Sequence, residues 1–528
     1  MSKFRVYARN LSANWTGYVA NVVVIFFLTP FVVRSLGKDA YGVWCLLVAL
    51  TGHLGLAEIG VRISTGRFIN YHLGRGEGEK VSAVVSTSLL LYAVLSLVVL
   101  ALAAALGLVF AAVFTKVPTV VAPQARWILL LLGANILLGF YSATFGQLLQ
   151  AADRFDLRTL ADLIVLAART AATVWVLSSG GALTALAAVL VCSSALGCAI
   201  LFALARWKGP PVRLGLRYVR LQRMRELFGF GAWAFVGNLN VRIIFFTDNI
   251  VIGLLLGARQ IAFYNIGLML IEYGRELLAH VVRVLTPDML KAAGRGDLAR
   301  LRSLVLKGAR FSSLVGVPLF VGLMVLGGEF IRLWMGPEFA VSGRIAFLLA
   351  LGHLCAVASA PCANALVGLG RVKFKALLTG IEAAANLGLS VGFVLLGRMG
   401  LGGVALGTVL PMVAVTGGWQ IHYLCRRLGL PVRGFLQAVM ARWAVAAVLY
   451  SAACVAALRF WPSATLTGFA AKVGVLVVAY VPIGYWVLLE AGERAYLRSR
   501  GGRAVGEKGA SVSGHGEKVY GRKGVHSG

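Results

Sequence analysis

Apolar residues recur along this chain in long runs, separated by short polar stretches that carry most of the charge. A membrane crossing needs roughly 20 apolar residues. Hydropathy places fourteen such runs, near 11–33, 40–60, 82–113, 126–149, 159–178, 182–205, 228–256, 261–285, 309–333, 344–369, 376–397, 401–424, 435–459 and 467–490. They use about two thirds of the 528 residues and leave no run long enough for a folded soluble domain. The pattern predicts an all-α polytopic membrane protein with about 14 transmembrane helices.

Composition agrees with the pattern. The chain is 59% apolar and 13% charged, against about 25% charged in ordinary soluble domains. Soluble enzymes, nucleic-acid modules and secreted disulfide scaffolds are thereby excluded. Seven cysteines lie in or at the edge of apolar segments and form no CxxC, so they read as packing residues. Lys3, Arg5 and Arg9 precede the first run in the manner of a signal peptide. That run is too long, however, and lacks a small-residue cleavage site, so it reads as the first span.

The net charge of +31 becomes informative through its placement. With the N-terminus in the cytoplasm, cytoplasmic segments hold 35 Lys and Arg and the opposite side holds 10. Such a bias sets orientation and predicts both termini in the cytoplasm. The Gly-, Lys- and Ser-rich residues from Gly501 onward predict a disordered basic tail.

The chain also repeats itself. Leu36-Gly37 recurs as Leu256-Gly257, Gly74-Arg75-Gly76-Glu77 as Gly294-Arg295-Gly296-Asp297, and Val189-Leu190 as Val409-Leu410, each 220 residues on. Two weaker matches near Leu56 and Arg62 fall at offsets of 222 and 221. A constant offset predicts two six-helix bundles, 1–205 and 226–425, joined by a basic linker 206–225. Two additional helices (426–495) and the tail (496–528) follow. An even number of spans per repeat gives the halves one orientation, the parallel-repeat plan of many secondary transporters.

Leu28-Thr29-Pro30, Val33-Arg34-Ser35-Leu36-Gly37, Tyr41-Gly42-Val43-Trp44 and Gly55-Leu56-Ala57-Glu58-Ile59-Gly60 together resemble the opening of polysaccharide biosynthesis proteins. These form the oligosaccharide flippase branch of the multidrug/oligosaccharidyl-lipid/polysaccharide exporter superfamily. The resemblance implies movement of an undecaprenyl-pyrophosphate-linked glycan across the bacterial inner membrane by alternating access, without ATP hydrolysis, for surface polysaccharide synthesis. It also implies a lipid-linked glycan as substrate, with a polysaccharide polymerase and chain-length proteins as partners. Motifs for an enzyme or a cofactor are missing. Gly74 to Gly78 lacks the Walker Lys-Ser/Thr, and there is no HExxH and no pair of CxxC motifs.

Ionisable residues inside spans are costly and mark functional sites. Glu272, Arg275, Glu276, His280 and Arg283 share one helical face. Glu58 and Arg62 stand one turn apart at the end of the second span. Asn238, Arg242 and Asn249 form a stripe on the seventh, with Asp248 beside them, and Asn10, Asn14, Tyr18 and Asn21 form one on the first. In a two-bundle plan these four spans line one central cavity. Guanidinium groups bind phosphate oxygens bidentately, so Arg62, Arg242, Arg275 and Arg283 are candidate contacts for a pyrophosphate or acidic sugar. Asn14, Asn238 and Asn249 are candidate substrate contacts, and Glu58, Asp248, Glu272 and Glu276 balance charge or hold a coupling ion. Intramembrane ion pairs such as Glu272–Arg275 are the plainer alternative for each. Asp162 and Arg169, seven apart in the fifth span, suggest a buried pair. Two other functions stay open: a cation-coupled drug exporter of the same superfamily, and a non-transporting membrane partner of glycan synthases.

Overall fold

The computed structural model describes residues 3–55, 58–117, 122–220, 244 and 246–494, and among these it contains helices and turns but no strand. The first half comprises α1 (Lys3–Leu54), α2 (Glu58–Gly74), α3 (Gly78–Val113), α4 (Ala122–Ala151), α5 (Phe155–Ser178) and α6 (Leu183–Lys208). After the linker come α7 (Phe246–Leu255), α8 (Ala258–Gly294), α9 (Leu298–Met335), α10 (Ala340–Cys355), α11 (Ser359–Gly368), α12 (Val372–Leu395) and α13 (Gly400–Leu428). The last two are α14 (Val432–Phe460) and α15 (Leu466–Leu488). Eleven of the described helices are long and apolar enough to cross a membrane.

A straight helix the length of α1 would span about 78 Å, far beyond the roughly 30 Å hydrocarbon core. It is broken at Gly37, where φ is 78° and ψ 163°, a conformation that only glycine adopts without strain. Gly257, 220 residues on, has φ 98° and ψ 167° and separates α7 from α8 in the same way. Gly76 and Gly296, at the same offset, turn the chain with φ 71° and 69°.

The helices depart from the hydropathy runs at two places. The run 40–60 ends at Leu54, and a new helix starts at Glu58, so Glu58 and Arg62 open α2 instead of closing a span. The run 344–369 divides into α10 and α11, because the Ala356 carbonyl accepts from both the amide and the hydroxyl of Ser359. Such side-chain bonds offer the backbone an alternative to the helix. Proline, which lacks an N–H, loosens the ladder elsewhere. Wide π-turns follow Pro411 at Met412–Trp419 and Pro482 at Gly484–Leu488.

In the first half α4 packs on α3 and α6, and α5 on α1 and α6; in the second, α9 packs on α8 and α10, and α12 on α13. The two halves meet where α1 runs along α8. Their shared core holds Leu46 and Leu47 against Ile252, Ile261 and Tyr264, all fully buried.

The α14–α15 hairpin lies against α9 and is held there at two levels. Lys472 of α15 donates to both oxygens of Glu329 at 2.8 and 2.9 Å, and the Ser463 amide donates to the same carboxylate at 2.7 Å. Nineteen residues earlier on α9, about 28 Å along a helix, buried Arg310 binds Glu490 at 2.7 Å and Glu493 at 2.9 Å. Lys472 sits inside α15 with its ammonium fully buried, a position that Glu329 makes tolerable.

Candidate functional site

Between the halves, α8 presents a polar stripe where α1 meets it. Glu272 and Arg275 pair at 3.4 Å and are 40% and 43% exposed, so the pair is loose and reachable. Glu276, one turn on, is exposed and lies within electrostatic reach of Tyr18 and Tyr273. His280 meets the rings of Trp15 and Tyr18 from α1, with centroids 5.4 and 5.3 Å away. Arg283 is exposed near the end of the stripe. Two aromatic rings and a histidine thus flank the charged groups where the halves touch.

In the first half, Glu58 and Arg62 pair at 3.6 Å on α2, with Arg62 about half exposed. The Arg62 carbonyl accepts from Gln147 Nε2 of α4 at 2.9 Å, which fixes this turn of α2. Asn238 and Arg242 lie outside the described residues, and Asn14 falls in α1 at a position whose side chain is not described. A polar cavity of about 380 Å³ opens between α1 and α5, lined by Tyr18, Asn21, Thr159, Asp162 and Arg169. The suspected Asp162–Arg169 pair does not form. Asp162 faces Arg158 at 3.9 Å, one helical turn away, while Arg169 donates to Ser193 of α6 at 3.0 Å. Seven residues place the two on one face but two turns apart, beyond direct contact.

Asp248 and Asn249 occupy a different environment from the stripe. Asp248 is 1% exposed and accepts from Tyr264 Oη (2.6 Å), Thr408 Oγ1 (2.9 Å) and Asn386 Nδ2 (3.3 Å). Those partners come from α8, α12 and α13, so the carboxylate lies inside the second half. Asn249 exchanges bonds with Asn265 at 2.7 and 3.4 Å. Sequence spacing could not find Asn386 or Thr408, which reach Asp248 from 138 and 160 residues away.

Beside the Gly37 and Gly257 breaks, ion pairs tie the halves together. Asp39 receives Arg259 at 2.6 and 3.2 Å, and Lys38 donates to Glu338 at 2.8 Å. Asp39 and Arg259 stand 220 residues apart, at equivalent places in the repeat. Lys116 donates to the Leu255 carbonyl at the same end. The backbones also approach closely: a Cβ on Gly42 would fall 1.8 Å from the Ala258 carbonyl oxygen.

An apolar cavity of about 750 Å³ runs between α8 and α9 on one side and α14 and α15 on the other. Leu270, Leu277, Leu319, Phe330, Val477 and Tyr480 are among its walls. Leu270 and Leu277 belong to the helix that carries the polar stripe, so one helix presents both a wall of the apolar slot and a row of charged groups.

Residues 31–343 match the family model described as polysaccharide biosynthesis protein. The chain is 24% identical over 488 residues to the uncharacterized membrane protein EpsK of Bacillus subtilis, covering 89% of this chain and 94% of that one. It is 22% identical to the putative O-antigen transporter of Shigella flexneri, over 75% of this chain and 93% of the relative. Among solved structures, the lipid II flippase MurJ in an inward closed conformation superposes with a TM-score of 0.68, at 14% identity, over 89% of this chain and 98% of that one. An inward-facing multidrug resistance transporter of the MATE family superposes at 0.66, with 15% identity over 78% of this chain and 94% of that one. At such identities the two structures speak for the fold. The family match spans more than half of the chain, and this multi-pass membrane protein belongs to the polysaccharide biosynthesis protein family.

Proposed function

We propose that the protein is a flippase that moves a lipid-linked glycan across the membrane by alternating access. The observation that carries this reading is the pairing of two unlike surfaces on α8: the loosely paired charges Glu272 and Arg275 on one side and the apolar slot on the other. A lipid-linked pyrophosphate glycan has the same two-part chemistry, and a slot walled by Leu, Val and Phe suits its hydrocarbon tail. The names of the relatives, an O-antigen transporter and a probable glycan biosynthesis flippase from Haloferax volcanii, support the class.

In this reading Arg62, Arg275 and Arg283, with Arg242, contact phosphate or acidic sugar, while Glu58, Glu272 and Glu276 balance their charge in the empty state. Asp248, buried among the hydrogen-bond donors Tyr264, Asn386 and Thr408, takes the coupling role through a proton or a small cation. The halves 1–205 and 226–425 move against each other, and the Asp39–Arg259 and Lys38–Glu338 pairs fasten their outer ends. Both termini face the cytoplasm of a bacterial inner membrane, so reporter fusions after Gly209 and Gly501 read inside and one after Ser179 reads outside. A cation-coupled drug exporter needs an acidic cavity, whereas the described stripes carry three arginines against three carboxylates.

The test is what accumulates when the gene is deleted. An undecaprenyl-linked glycan held on the cytoplasmic leaflet is the expected result. Normal glycan export with loss of drug resistance would overturn it.

A further inference from the structure

The linker between the halves is built in a way that a solvated loop does not require. From Arg206 to Arg220 it carries five cations, and no acidic residue occurs anywhere from 163 to 225. Among the described residues none of these five cations pairs with a carboxylate. The strand of backbone is nevertheless tied down at three places along α3. The amides of Arg213, Gly215 and Arg220 donate to the hydroxyls of Ser82 (3.1 Å), Ser86 (3.4 Å) and Thr87 (3.1 Å). Arg206 donates to the Val212 carbonyl at 3.1 Å, and Val212 itself is buried in the core of this end.

A strap fixed this firmly turns large apolar side chains outward. Trp207 is 69% exposed and Leu216 79% exposed, and Lys208 lies 4.2 Å from the Trp207 ring. Interleaved aromatic and basic residues of this kind belong at the headgroup level of a bilayer, where the apolar parts sink and the cations meet anionic lipid. Beneath the strap is a cavity of about 320 Å³. Its floor is Phe145, Leu148 and Phe202 from the ends of α4 and α6, and its rim holds Arg206, Arg213 and Leu214. An apolar floor with two guanidinium groups at the rim matches a phosphate that bears acyl chains better than a free anion.

We propose that this strap is a binding site for an anionic phospholipid of the leaflet it faces, with the phosphate at Arg206 and Arg213 and the upper acyl chain against Phe145 and Phe202. The site is separate from the polar stripe of α8 and does not depend on the transported substrate.

The test uses the full chain purified in neutral detergent, read by its melting temperature. Titration with phosphatidylglycerol raises the melting temperature, and phosphatidylcholine at the same concentrations does not. In Arg206→Gln/Arg213→Gln the half-saturating concentration of phosphatidylglycerol rises roughly 10- to 30-fold, as the loss of two interfacial cations implies. Arg206→Lys/Arg213→Lys, which keeps the charge but not the bond from Arg206 to Val212 in its present form, stays within about threefold of the parent. If the double glutamine variant does not fold, Arg213→Gln alone serves, because the strap uses only the backbone amide of Arg213. Equal stabilisation by phosphatidylcholine would overturn charge recognition, and equal stabilisation by glycerol phosphate would replace the lipid with a free anion. The same loss on changing Arg344 and Arg398, exposed cations elsewhere, would reduce the effect to net charge.

Discussion

Glu329–Lys472 and Glu272–Arg275 are both carboxylate–cation pairs set among apolar helices, and they differ in every physical respect that matters. The first is sealed, with side chains 2% and 0% exposed, two bonds from one ammonium and a third donor from a backbone amide. The second is open, a 3.4 Å contact within one helix, about two-fifths exposed on both sides. A charge that is fully surrounded by its own partners cannot exchange them for a ligand. A charge in a loose, accessible pair can, because the competing contact is worth little. The sealed pair joins α15 to α9, whereas the open one lies on the exposed polar stripe of α8.

The contrast breaks most visibly at the sealed pair. Lys472→Met leaves Glu329 buried without its cation, which costs about 3–5 kcal/mol. Most of the protein is then lost from the membrane, and Glu329→Gln/Lys472→Met recovers much of it, as followed by fluorescence-detected size exclusion and thermal melting. A single variant as stable as the parent would mean that the two pairs do not differ in kind.

At the open pair the effect moves from abundance to transport. Glu272→Ala/Arg275→Ala changes stability by less than about 1 kcal/mol, so the protein is well expressed, yet glycan export is lost. Arg275→Lys weakens export partially, because an ammonium keeps the charge without the bidentate fork; Arg275→Glu abolishes it. A well-expressed, active double alanine variant would assign the pair to structure alone.

The exposed ion pairs between the halves give a third point on the scale. Asp39→Asn lowers stability by at most about 1 kcal/mol. A disulfide in Asp39→Cys/Arg259→Cys stops export and is reversed by reductant, and full activity with the cross-link formed would argue for a fixed groove.

The smallest effect lies outside the membrane, at Glu77 in the turn between α2 and α3. Bonds from Lys80 and His72, at 2.9 and 2.5 Å, hold its carboxyl down to about 2. A depressed carboxyl stabilises the fold above its ordinary range and loses that contribution as pH falls. The stability of the parent therefore declines between about pH 4.5 and 2 by a small increment that Glu77→Gln lacks, which melting curves across that range measure.

Sequence alone was enough for the class of this protein, a helical polytopic membrane protein. Bilayer thickness imposes a length on each apolar run, and the 220-residue repeat places Gly37 and Gly257 at equivalent helix breaks with matching backbone angles. The stripe Glu272, Arg275, Glu276, His280 and Arg283 was legible for the same reason, since helical periodicity alone puts these residues on one face. Periodicity says nothing about what stands opposite. Asp248 stands beside the candidate Asn249 on α7, and only the packing of α8, α12 and α13 turns it inward to Tyr264, Asn386 and Thr408. Lys472, Glu329 and Arg310 find their partners 143 to 183 residues away, where no local pattern reaches. Local pattern fixes which face of a helix is polar. Whether that face meets water, a ligand or another helix is decided by long-range packing, and therefore only by the tertiary structure.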